Sequence, residues 1–282
     1  MNNKIAGKTG HHPNFRYLMD IILYYGRNGM FWFQEGLERL LHLLGNMEMP
    51  LGAYYTNTLP TAGLTPARGR HECIINFMRK SRTQETPVFF AADTNACMGG
   101  WTYLGFSNEN RDKIASFVTT GLPGRGGEHY MPEPASIYRL FEEMEFQKAS
   151  GSYCVVKPLS LFQGEEKPEV VTFFARAERL TGLCHLAYFA LNDHNAVAMP
   201  FGAGCSGIFA WPRTYQRKGL RRAVIGCTDI SCRPFMKTDE LSFTVSSDVL
   251  AEMIDKAPQS FLTGRSWQGV LKKIKQSDKK WA

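Results

Sequence analysis

Several features are missing from this sequence, and each absence narrows what the chain can be. It has no apolar run near the ~20 residues that a membrane-spanning helix needs; its strongly apolar stretches, such as Val170 to Ala175 and Val197 to Phe201, are short. The start, Met1-Asn2-Asn3-Lys4-Ile5-Ala6-Gly7-Lys8, lacks the apolar core of a secretory signal. A soluble, unexported protein is the expectation. The seven cysteines form an odd total and are scattered along the chain. Without the tight, even spacing of a small secreted scaffold, those cysteines argue against a disulfide framework and for a reducing cytoplasm.

Common catalytic signatures are also lacking. Gly7-Lys8-Thr9 has Asn2 where a phosphate-binding loop requires glycine, and no strand precedes it. His185 and His194 form no HExxH, and there is no Gly-x-Ser-x-Gly. Only a Ser-His-Asp triad assembled in space would leave no trace in the sequence.

What is present is ordinary globular material. Of 282 residues, 44% are hydrophobic and 21% charged, with Phe 19, Tyr 11 and Trp 5 as core stock. A chain of this length can bury roughly 70 to 75% of its unfolded surface. The formal net charge of +7 is patchy: Arg213, Arg217, Lys218, Arg221 and Arg222 cluster mid-chain, and Lys272, Lys273, Lys275, Lys279 and Lys280 crowd the end. Neither cluster has aromatics at a stacking spacing, so solvated surface is expected in preference to nucleic-acid binding.

Apolar periodicity predicts helices over Asn14 to Tyr25, Gln34 to Leu44, His71 to Lys80, Pro134 to Phe146, Ala177 to Phe189, Ser247 to Lys256 and Ser266 to Lys275. Strands are expected at Leu51 to Thr56, Val88 to Ala92, Tyr153 to Pro158, Glu169 to Ala175, Ala196 to Phe201, Arg222 to Ile225 and Leu241 to Val245. Gly121 to Gly127 reads as a loop and a natural mid-chain joint. The fold class is therefore α+β, with mixed sheet and flanking helices. The order helix, strand, Cys-bearing turn occurs around Cys73 and Cys97 and again around Cys184 and Cys205, which suggests two related halves. The segments are a helical N-terminal part (1–46), a cysteine-bearing domain (47–262) and a basic C-terminal helix and tail (263–282).

The cysteines carry the functional expectation. Cys97, Cys205 and Cys227 each follow a strand, beside Gly99, Gly100, Gly204, Gly207 and Gly226. Ligands collect at such strand ends, and glycine leaves room for them. Cys73, at the first turn of its helix after Arg70 and His71, is the best candidate for a reactive or metal-ligating sulfur, since that setting favours a thiolate, with Glu72 acting the other way. Cys154 and Cys184 are expected to pack in the core. Cys227-Thr-Asp-Ile-Ser-Cys232 has four residues between its sulfurs, a weak zinc signal, so Cys232 is an uncertain fifth member. Zinc, an iron–sulfur cluster and a reversible disulfide all remain open at this point.

Cys73, the Cys97-Met-Gly-Gly turn with Tyr103-Leu104-Gly105, the strand Glu169-Val-Val-Thr-Phe-Phe, Cys205, Gly226-Cys227 and Asp239-Glu240-Leu241-Ser242-Phe243 together resemble the uncharacterised cysteine-bearing family known as domain of unknown function 169. The resemblance spans about residues 47 to 260 and matches the family pattern at Cys73, Cys97, Cys205 and Cys227. It implies a cytoplasmic, often anaerobic setting and no particular reaction. The leading expectation is a metal centre, iron–sulfur ahead of zinc, held by those four cysteines. The alternative is a redox-responsive module in which the same thiols serve a small ligand or a redox partner.

Overall fold

A computed structural model describes residues 33–66, 72–93, 97–164 and 166–281. The predicted helix at Asn14 to Tyr25, like Arg70 and His71, lies outside the described residues. The elements run α1 (33–43), β1 (Leu51–Thr56), α2 (Ile74–Gln84), β2 (Val88–Ala91), α3 (Met98–Leu104) and α4 (Arg111–Val118), then the short β3 (Gly121–Leu122) and β4 (Arg125–Gly126). They continue with α5 (Pro134–Met144), β5 (Tyr153–Pro158), β6 (Val170–Arg176), α6 (Ala177–Leu191), β7 (Val197–Ala198), α7 (Trp211–Arg217), β8 (Ala223–Gly226), β9 (Glu240–Ser246), α8 (Ser247–Lys256) and α9 (Arg265–Trp281).

One seven-stranded sheet, ordered β2-β5-β1-β6-β9-β8-β7, organises the molecule. It is antiparallel except for the parallel β7–β8 pair, so the expected α+β class with a mixed sheet is what forms. Alternation along the strands feeds two cores. Leu51, Ala53, Val170, Phe174, Val88, Phe90, Cys154 and Val156 face one side, under α2, α3, α4 and α5. Val171, Phe173, Ala175, Phe243 and Val245 face the other, under α1, α6, α8 and α9. Phe173 and Phe243 sit opposite each other in register, edge to face at 6.3 Å, the kind of cross-strand pair that pins a sheet.

The same alternation puts Ser242 and Thr244 of β9 and Thr172 of β6 on the first side, fully buried. Thr172 and Thr244 hydroxyls satisfy each other at 3.0 Å. This polar stripe underlies the site described below.

Three predicted elements differ. The glycine loop closes into the hairpin β3–β4, with Gly121 (φ +102) and Gly124 (φ +76) taking the left-handed backbone that only glycine adopts cheaply. The strand expected at Ala196 to Phe201 shrinks to Val197–Ala198, its end leading towards a π-helical turn, Ser206–Ala210, that runs into α7. Met98–Leu104 is a helix where a turn is expected, because tertiary packing overrides the low propensity of Gly99-Gly100.

Four of the five residues of the mid-chain basic cluster are ion-paired, Arg213 with Glu169, Arg217 and Lys218 with Glu145, and Arg221 with Glu252, while Arg222 lies over the Tyr215 ring. Among the described residues, no helix is long and apolar enough to cross a membrane.

Candidate cysteine site

Cys73 and Cys97 are the N-cap residues of α2 and α3. A backbone hydrogen bond from Cys97 N–H to Glu72 O (3.3 Å) sets the two helix starts side by side. The Cys73 thiol donates to the Cys97 sulfur, and that bond is the main reason the Cys97 thiol is held down to about 6. Burial opposes the shift, while the N–H groups of Gly100, Ile74 and Cys97 itself support it. Cys97 is therefore a thiolate near neutral pH. Cys73 moves the other way: keeping its proton for Cys97, together with burial, pushes its thiol far up. Within the pair the charge is held on Cys97, and Cys73, the sequence's first candidate for a reactive or metal-ligating sulfur, is its proton donor. Both cysteines sit at a helix start, but only one can keep the shared proton.

Cys205 comes next in space. It opens the π-helical turn, fully buried, and its sulfur lies 3.6 Å from where a side chain at Gly99 would begin. Burial, then the charges of Cys97, Asp229 and Cys227, push its thiol well up. The turn can sit low on the sheet because Gly207 and Gly226 meet backbone to backbone: a Cβ on Gly207 would lie 3.0 Å from Gly226 Cα.

Cys227 follows β8 directly and adopts the left-handed backbone (φ +60), uncommon for a residue with a side chain. Arg233 stabilises this loop by donating to the carbonyls of Cys227 (3.3 Å), Lys237 (3.0 Å), Thr238 (2.9 Å) and Glu240 (2.6 Å). The loop then returns Cys232 to Cys227, where a hydrogen bond between the sulfurs, followed by burial, pushes the Cys232 thiol far up. Both sulfurs press on Gly204: its Cβ position is 3.1 Å from Cys227 Sγ, 3.2 Å from Cys232 Sγ and 3.2 Å from Asp229 Oδ1.

Cys73, Cys97, Cys205 and Cys227, together with Cys232, thus lie on one side of the sheet as two contacting pairs, with Cys205 close enough to feel both. Cys73, Cys205, Cys227 and Cys232 share one core cluster. Among the described residues, no three His, Cys, Asp or Glu side chains stand close enough to hold a single metal ion. Cys154 belongs to the same core but is fully buried in β5 and tied to Tyr55. Cys184 lies on the opposite face, against the other core. Both were expected to pack, and both do.

Asp229 and Arg233 are the contributors that sequence reasoning missed. A lone Asp between two cysteines carries no signal until the loop folds it inward.

The buried thiols also predict alkaline instability. Burial raises the Cys154 thiol from 9.0 to about 12 in the folded chain. A raised acid leaves stability intact below pH 9 and withdraws it as pH climbs from there towards 12. Between pH 9 and 11 Cys154 alone should remove about 2 to 3 kcal/mol. Melting curves under reductant from pH 8 to 11 should fall steeply for the natural chain and less steeply, by one proton's worth, for Cys154→Val. Equal slopes would show that Cys154 ionises as freely folded as unfolded.

No curated protein and no solved structure matches this chain. A family model does, over residues 39–256, and its description is DUF169, "Uncharacterised ArCR". With most of the chain covered, and the cysteine-bearing segments inside the match, this protein belongs to the uncharacterised family domain of unknown function 169.

Proposed function

We propose that the chain is a cytoplasmic, cysteine-ligated metal-binding protein, with an iron–sulfur cluster ahead of zinc, held by Cys73, Cys97, Cys205 and Cys227 and with Cys232 as a fifth donor. One observation carries this reading: sulfurs from four separate segments converge on one sheet face, and one of them is already held as a thiolate. Thiolates are the ligands that soft metals and iron–sulfur clusters select.

The arrangement of the sulfurs in pairs supports a cluster over zinc. Zinc wants four donors around one point, whereas these sulfurs stand as two contacting pairs with Cys205 near both. Such a centre supplies electron transfer, or a coordination position for substrate. The chain's own residues do the rest: Gly100 and Ile74 N–H groups stabilise the Cys97 charge, and Arg233 fixes the Cys227 loop. Protein purified without oxygen should be coloured and contain iron and acid-labile sulfide. A colourless protein free of iron and zinc overturns the reading.

A second reading has its own support. The thiol–thiolate contact between Cys73 and Cys97 is the arrangement that thiol–disulfide exchange uses, with one sulfur ready to attack and the other ready to resolve. A cavity of about 300 Å³ lined by Met98, Lys113, Ser116, Phe117, Arg125 and Gly126 adjoins α3 and could take a small ligand. In that case metal-free protein, treated with glutathione disulfide and then alkylated, should show the Cys73–Cys97 disulfide by mass spectrometry. Thiols that stay free would count against it.

A further inference from the structure

Lys113 of α4 and Arg125 of β4 both line the cavity of about 300 Å³ beside α3, and no carboxylate lines it with them. Among the described residues, neither side-chain charge has an ion-pair or hydrogen-bond partner. The rest of the wall is largely apolar. Met98 contributes to it, as does Phe117, which is 43% exposed and meets the Tyr130 ring edge to face at 6.4 Å. The frame that carries the two cations is already fixed. Glu128 N–H donates to Phe117 O (2.8 Å), His129 N–H to Thr119 O (3.0 Å) and Met131 N–H to Val118 O (2.9 Å), so the chain leaving the β3–β4 hairpin is tied along the end of α4. Gly127 lies so close to the same helix end that a Cβ would stand 2.1 Å from Thr119 O and 2.2 Å from Ser116 O. Ser116 is fully buried, and its hydroxyl donates to Arg125 O at 3.4 Å. Binding an anion here therefore requires little ordering of the backbone, and ordering is a main cost of association.

We propose that this cavity binds a small organic dianion of the phosphate-monoester class, with its charged oxygens on Lys113 and Arg125 and its apolar body on Phe117 and Met98. Two cations match two negative charges. The planar guanidinium of Arg125 takes two oxygens at once, and the Lys113 ammonium acts as a point charge beside it. A cleft lined by one sign of charge also concentrates ions of the other sign. The volume sits at the small end of ligand pockets, which run from ~300 to 1,000 Å³, so the apolar body is one ring or a short chain. This assignment rests on the small-ligand part of the second reading above and names its ligand; it uses no thiol.

The test is calorimetric titration of the reduced, full-length protein at low salt with phenyl phosphate, inorganic phosphate and phenol. Phenyl phosphate should bind about tenfold tighter than inorganic phosphate, because its ring adds buried apolar area, and phenol should give no binding heat. Lys113→Gln and Arg125→Gln, both changes of exposed side chains, should each weaken phenyl phosphate about tenfold through loss of a charge-assisted contact. Gly126 lines the cavity outside the left-handed backbone region, and a Cβ there would meet nothing within 4 Å. Gly126→Trp should therefore fill the cavity and abolish binding, with an unchanged melting curve showing that the chain is folded. Phenyl phosphate bound no tighter than inorganic phosphate, or bound equally by the natural protein and both glutamine variants, overturns the assignment. The glutathione disulfide experiment separates it from its parent reading. A Cys73–Cys97 disulfide in a protein that ignores phenyl phosphate removes the ligand and keeps the redox chemistry, while binding without a disulfide does the reverse.

Discussion

Alkylation of Cys97 in the metal-free protein is expected to follow a pH profile that breaks near 6, three units below an ordinary thiol. The Cys73 proton and the N–H groups at the start of α2 and α3 all favour the anion. At pH 7 about nine-tenths of Cys97 is then thiolate, against about one-hundredth for a thiol of 9.0. Rate alone is a poor readout, because nucleophilicity falls as the thiol becomes more acidic and removes most of that ~100-fold advantage. The position of the break is the decisive quantity. Cys73→Ala deletes the largest cause and should move the break upward, while Cys73→Ser, whose hydroxyl still donates, should move it less. A profile breaking near 9 in the natural protein would mean that the proton is not shared as described. The same ionisation favours metal loading above pH 6, because a ligand already deprotonated need not release a proton on binding.

The second large effect lies away from the sulfurs. Arg82, in the last turn of α2, donates to both carboxylate oxygens of Glu240 (3.0 and 3.3 Å) and to Glu48 (2.6 Å), with its guanidinium 4.4 Å over the Phe174 ring. Glu240 opens β9 with only 4% of its surface exposed. Removing Arg82 leaves that carboxylate buried, with Lys237 as its remaining partner. Arg82→Ala should cost about 3 to 5 kcal/mol, read as a fall of roughly 6 to 20 °C in melting temperature. Arg82→Met combined with Glu240→Met should recover most of the loss, since the penalty belongs to the uncompensated charge and not to the absence of the pair. A single variant melting within a degree or two of the natural chain would show that Glu240 is hydrated. Because α2 also presents Cys73, this pair ties the site to the sheet at the far end of the same helix.

How much of this was legible beforehand depended on whether local pattern or distant contact decided each feature. β1, β5 and α8 begin and end where alternation and helical spacing place them. Their cores need only a period and a stop signal. α3 escaped notice because its two glycines lower helix propensity, and with it went the recognition that Cys97, and not only Cys73, caps a helix. Which of these two thiols donates the shared proton could not be read from either neighbourhood. Each has helix N–H groups nearby, and the outcome is set chiefly by the proton that Cys73 donates to Cys97 once α2 and α3 lie side by side, with backbone N–H groups adding to it.

The sequence by itself determined the alternation that builds a two-sided α+β sheet, singled out Cys73, Cys97, Cys205 and Cys227 as one candidate set with Cys232 uncertain, and marked Cys154 and Cys184 as packing residues. These follow from period, composition and local turn chemistry, which act over a few residues. Only the tertiary structure decided that the scattered sulfurs meet as two pairs flanking Cys205, that Cys97 bears the charge, and that Asp229 turns a buried oxygen towards them. Proton sharing, desolvation and close approach over Gly204 are properties of distances between segments far apart in the chain, and those distances exist only once the sheet has brought them together.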